Sequence, residues 1–105
     1  MNQIPYEERA KVYTNALISY GQKMQMVIAL EELSECQKEI CKMYRGLGNT
    51  ENLAEEIADA TICLEQMRIY FGLNDLVCQK MDEKVKRLDD RLKASDHGNG
   101  STGKF

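Results

Sequence analysis

The chain has 105 residues and a net charge of −3, which allows one small domain and gives no electrostatic reason to expect a nucleic-acid partner. One Pro, no Trp and abundant Glu, Lys, Leu, Met and Ala favour an all-α fold. The longest unbroken apolar run, Met26 to Leu30, is far too short to span a membrane. The N-terminus is polar and lacks a basic stretch followed by an apolar run, so a cytoplasmic protein is expected. Cys36, Cys41, Cys63 and Cys78 show no CxxC spacing and lie in helical stretches. They are expected as buried thiols rather than as disulfide or zinc partners.

Four helices are predicted. The first begins at Pro5, a good first helical residue, carries Tyr6, Ala10, Tyr13, Leu17 and Tyr20 as its apolar stripe, and stops at Gly21. The second runs over 22–44 with a seam of Met26, Ala29, Leu33, Cys36, Ile40 and Met43. Residues 45–49 form a turn, and Asn49 or Thr50 caps a third helix that extends to about Phe71. Its main seam is Leu53, Ile57, Ala60, Leu64, Met67 and Phe71, with a second apolar patch of Ala58, Ile62 and Ile69 nearly opposite. After Gly72, Asn74 or Asp75 caps a fourth helix with a seam of Val77, Met81, Val85, Leu88 and Leu92. The helical domain is expected over 1–93, and the Gly-rich, polar stretch 94–105 reads as a flexible tail.

Two motifs carry chemistry. Glu32-Leu33-Ser34-Glu35 and Glu56-Ile57-Ala58-Asp59 each place two carboxylates one turn apart on a helix face, and the helices follow each other across a turn. Four carboxylates brought together form an oxygen-only site suited to a hard divalent cation such as Mg²⁺. At ~100° per residue, Glu39 and Gln25 fall on the same flank of the second helix as Glu32. The plain alternative is a solvated acidic flank, since like charges at this spacing cost only about 0.2–0.5 kcal/mol per pair. Lys80, Lys84, Arg87 and Arg91 recur along one stripe of the fourth helix. That stripe either serves solubility or supplies cations to phosphate oxygens. A di-iron bundle is excluded, because it needs a Glu-x-x-His from each of two helices and the only histidine is His97. The same lack removes Ser-His and Cys-His nucleophilic schemes, and there is no phosphate-cradling glycine loop.

The pair EELSE and EEIAD, with a basic last helix, resembles the MazG-like all-α nucleoside triphosphate pyrophosphohydrolases. The likeness covers nearly all of 15–92, and its closer side is to small, prophage-type members of a superfamily that includes dimeric dUTPases and phosphoribosyl-ATP pyrophosphatases. The resemblance implies that Glu32, Glu35, Glu56 and Asp59 ligate Mg²⁺, with Mn²⁺ as a substitute, and that Glu35 orients or deprotonates the attacking water. It implies that Lys84, Arg87 and Arg91 face the phosphates and that Gln25 contacts the nucleotide. The expected reaction cleaves a nucleoside triphosphate, deoxy or non-standard nucleotides included, between the α- and β-phosphates to monophosphate and pyrophosphate. No signature assigns the base. A relative that binds nucleotides or partners without turnover, and a helical interaction module with a solvated acidic face, are the competing readings. Apolar surface on two sides of the third helix, together with the resemblance, predicts a homodimer or homotetramer with no nucleic-acid or membrane partner.

Overall fold

The computed structural model describes residues 3–94 and 103–105 and is all-helical, with no strand among them. Its elements are α1 (Tyr6–Tyr20), α2 (Gln22–Tyr44), α3 (Thr50–Tyr70) and α4 (Asn74–Ala94). None of these is long and apolar enough to cross a membrane. The chain divides into two compact units, Met1–Gly72 and Leu73–Phe105. Residues 95–102, most of the expected tail, lie outside the described residues.

Helix ends follow from local chemistry. Pro5 sits one place earlier than expected, before the first turn of α1, where its carbonyl accepts from the Arg9 amide at 3.0 Å. The α2–α3 connection begins with a Schellman motif: the Gly46 amide donates to Met43 O and the Leu47 amide to Lys42 O, at 3.0 and 2.9 Å. That geometry needs the positive φ of 74° that Gly46 adopts. Gly48 is needed for a different reason, since a Cβ there would come within 3.0 Å of Met43 Sδ and 3.2 Å of its backbone nitrogen. Asn49 then caps α3, its side chain accepting from the Asn52 amide at 2.8 Å. For α4 the expected cap moves back by one: Asn74 is already helical, and Leu73 O accepts from the Val77 amide at 2.8 Å.

Within the first unit α2 and α3 form an antiparallel hairpin, and α1 lies against both. A covered line on α2 runs through Gln25, Ala29, Glu32, Cys36 and Glu39, and one on α3 through Leu53, Glu56, Ala60, Cys63, Met67 and Tyr70, with Gln66 buried beside it. Both lines step alternately by three and four residues, the spacing of a helix–helix seam. The expected seams share only Ala29 and Cys36 with the first line and Leu53, Ala60 and Met67 with the second. Ile57, Leu64 and Phe71 are instead 47%, 49% and 44% exposed. The cause is steric and polar together. Ala29, Ala60 and Cys63 let the backbones approach, while Gln25, Glu32, Glu39, Glu56 and Gln66 take much of the covered surface, so Ile57, Leu64 and Phe71 ride on the rims. Of the four thiols only Cys63 is buried and Cys36 half-buried; Cys41 and Cys78 are exposed, against expectation.

Polar contacts fasten α1. Arg9 Nε and Nη2 donate to the two oxygens of Glu65 at 3.2 and 3.0 Å, and the Tyr13 hydroxyl donates to Glu65 Oε1 at 2.5 Å. The Tyr70 hydroxyl donates to Tyr13 O at 2.7 Å. Burial and the adjacent Glu65 carboxylate push the Tyr13 hydroxyl up to about 12. Burial acts to raise Glu65, but the hydrogen bonds from Tyr13 and Arg9 outweigh it and hold the carboxyl below its ordinary value. A depressed carboxyl contributes stability that is present above its unfolded value and lost as pH falls through its folded one. Tyr13→Phe is expected to lower the unfolding free energy by about 1.5–3 kcal/mol at neutral pH. The deficit should shrink as acid protonates Glu65; urea unfolding at neutral and acidic pH measures both.

Candidate metal centre

A buried hydrogen bond sets the hairpin register. Gln66 Nε2 donates to Gln25 Oε1 at 3.0 Å, between residues only 8% and 4% exposed. Seven residues on from Gln25 is Glu32, and seven back from Gln66 is Asp59, so two turns along the antiparallel pair the motif carboxylates meet. One oxygen from each of Glu32, Glu56 and Asp59 lies within 4.8 Å of the other two. Glu32 and Glu56 are half-buried, whereas Asp59 is exposed, so the cluster opens to solvent on the Asp59 side.

Three carboxylates so placed repel one another. Burial first, then the Asp59 charge and hydrogen bond, raise Glu32; burial first, then the charges of Asp59, Glu35 and Glu39, raise Glu56. Cys63 beneath them is raised by burial and by Glu32 and Asp59. Glu56 Oε2 is fully buried with no hydrogen-bond partner. A carboxylate oxygen in that condition calls for a proton or a cation. An octahedral Mg²⁺ with ligands at about 2.0–2.1 Å sets neighbouring oxygens roughly 2.9 Å and opposite ones roughly 4.2 Å apart, so the three side chains would have to close in around the ion. The donor set, all oxygen and anionic, fits a hard divalent ion.

The other expected site residues are placed as follows. Glu35 stands one turn from Glu32, outside the group of three, and its carboxylate is paired with Lys38 at 3.2 Å. Its charge nonetheless reaches Glu56. Gln25 is two turns away and enclosed, its carbonyl accepting from Gln66 and lying 3.1 Å from the Tyr70 hydroxyl. Lys84, Arg87 and Arg91 stand on α4, in the second unit. There Arg91 donates to Lys104 O at 2.9 Å, Lys80 pairs with Glu83 at 3.5 Å, and Lys84 makes no ion pair among the described residues. One residue of consequence was given no role from sequence: Glu39, 8% exposed, with Oε2 3.1 Å from Lys42 Nζ and Oε1 buried without a partner. Its signal was its place seven residues after Glu32, on the same face.

Raised carboxyls reverse the usual acid response. Their protonated forms are favoured in the fold, so stability is fullest below the unfolded carboxyl value and is lost as pH rises through the raised ones. In EDTA, Glu56→Gln is therefore expected to raise the melting temperature at neutral pH, and added Mg²⁺ to raise that of the wild type more than that of the variant. Thermal melts with and without Mg²⁺ read this directly. A lower melting temperature for Glu56→Gln in EDTA would contradict the repulsion.

The chain matches no protein-family model, no curated protein and no solved structure.

Proposed function

We propose that this chain is a Mg²⁺-dependent nucleoside triphosphate pyrophosphohydrolase of the MazG-like kind. One observation carries the reading: the paired motifs meet across the hairpin as Glu32, Glu56 and Asp59, within 4.8 Å of one another. The partnerless buried oxygen of Glu56 supports it, since a solvated acidic flank would leave no such atom. Glu32, Glu56 and Asp59, joined by Glu35 when its Lys38 pair opens, would hold the ion. Bound there, Mg²⁺ supplies charge neutralisation to phosphate oxygens and lowers the pKa of water.

The chain's own residues do the rest. Glu35, more than half exposed at the edge of the cluster, orients a water and takes its proton. The water oxygen bonds to the α-phosphorus while the bond to the bridging oxygen breaks, and pyrophosphate leaves with that oxygen. The basic stripe of Lys84, Arg87 and Arg91 supplies cations to phosphate oxygens. No covalent enzyme intermediate is formed. Asp59→Asn keeps the side-chain shape but removes a ligand charge, and it is expected to reduce pyrophosphate release by at least about 100-fold. Neutralising Lys84 and Arg87 together should raise KM for triphosphate. A panel of nucleoside triphosphates assayed for pyrophosphate, with and without EDTA, is the test; release that survives EDTA sinks the proposal.

Self-association belongs to the same reading. A domain of this size buries a modest core, and side chains of both apolar surfaces of α3 remain open. Ile62 is 42% exposed, opposite the exposed Ile57–Leu64–Phe71 rim. A second copy covers these surfaces, giving a dimer or tetramer. Light scattering at micromolar concentration should show a particle of at least twice the 12.0 kDa chain mass. An Ile62→Glu, Ile69→Glu double variant should stay helical and become monomeric.

A further inference from the structure

We propose that α4 is a coiled-coil arm that pairs, in parallel, with α4 of a second copy of this chain. The pairing is independent of the metal centre, of the activity and of the apolar surfaces of α3. Described by itself, α4 buries none of its residues. Its apolar side chains nevertheless keep a strict order. Cys78, Met81, Val85, Leu88 and Leu92 step by three, four, three and four residues. Cys78, Val85 and Leu92 are thus the a places of a heptad repeat, and Met81 and Leu88 the d places. All but the half-buried Leu88 are exposed. From Met81 to Lys93 every residue outside those places, nine in all, is charged. A helix laid on a globular core carries a third apolar place per heptad, at e or g, whereas a stripe confined to a and d is the narrower seam of a coiled coil. Val85 at a followed by Leu88 at d suits two strands.

The flanking charges choose the partner and its direction. Asp82 and Asp89 hold the e places, and Lys84 and Arg91 the g places. In a parallel pair each g residue reaches the e residue five places on in the other helix, so Lys84 meets Asp89 of the second copy, twice by symmetry. An antiparallel pair would set the basic row against itself and the acidic row against itself. With acid on one flank and base on the other, α4 is complementary to a parallel copy of α4. Asp89 already lies 2.9 Å from Lys93 of its own helix, but both are more than half exposed, and a contact of that kind is worth little and excludes no second cation. Rim pairs stay solvated, so Lys84 is not withdrawn from anionic ligands, and Arg87, at a c place, lies off the seam. In the parallel register a faces a, which sets Cys78 beside Cys78 of the second copy.

The test uses the intact chain carrying Cys41→Ser, which removes the other exposed thiol. Oxidised glutathione takes up two electrons as two Cys78 thiols lose their protons and join as a disulfide. A linked dimer of twice the 12.0 kDa chain mass is expected on a non-reducing gel, and none after Cys78→Ser. Lys84→Glu should slow linkage by at least about fourfold, as two rim pairs turn from attraction to repulsion. Adding Asp89→Lys to Lys84→Glu should restore the rate, with helical circular dichroism unchanged throughout. Absence of a Cys78-dependent linked dimer would overturn the proposal. So would linkage that Lys84→Glu leaves unchanged or speeds, the mark of chance collision or antiparallel pairing, and so would a double variant as slow as the single one. Failure to link in a protein that light scattering shows to be dimeric removes the α4 pairing and leaves the α3 surfaces standing. Linkage with the expected charge dependence in a protein that releases no pyrophosphate upholds the pairing and removes only the activity.

Discussion

The first unit depends on two antiparallel helices being held in one register at close range. Small residues, Ala29 against Ala60 and Cys63, permit the approach. They cannot fix the axial position, because a smooth surface of small groups slides. The amide pair Gln25–Gln66 does that, since shifting the helices would leave two buried amides without partners in a region where water is excluded. Fixing one end of the seam fixes the other. The carboxylates of Glu32, Glu56 and Asp59 are brought together by a hydrogen bond two turns away.

That arrangement also explains the mixed electrostatics of the unit. At one end, Glu65 is matched by Arg9 and Tyr13 and its carboxyl is held low. Further along the same hairpin, Glu32 and Glu56 are held high by burial and by the like charges they face. Residues of one type thus stabilise one end and destabilise the other, and the difference lies entirely in their neighbours. Local destabilisation of this kind is what a ligand site tends to carry, because the ligand supplies what the fold leaves out.

Element count and boundaries were legible in the sequence, because Gly21, Gly46, Asn49 and Gly72 mark the ends by backbone chemistry that needs no tertiary context. The meeting of the ExxE and ExxD motifs was legible too, though as a group of three with Glu35 beside it. The buried face was not. A search for apolar periodicity picks Leu33, Ile40, Ile57 and Leu64, whereas the covered line of α2 alternates small residues with Gln and Glu, and that of α3 admits Glu56 and has Gln66 buried beside it. Polar side chains enter a seam only when the partner helix satisfies or exploits them, and that partner is invisible along one helix. For the same reason Gln25, read as a nucleotide contact, turned out to be enclosed, and Glu39 carried no assignment.

The short connection between α2 and α3 has a kinetic consequence. The cluster lies within one uninterrupted segment from Glu32 to Asp59, closed by a turn that its own Schellman motif and Asn49 cap encode. Contacts this local form early, since little chain entropy is lost in closing the loop. The carboxylates therefore come together while the hairpin is nucleating, before α1 needs to dock. An ion captured at that stage stabilises the folding transition state as well as the product, so it speeds folding more than it slows unfolding.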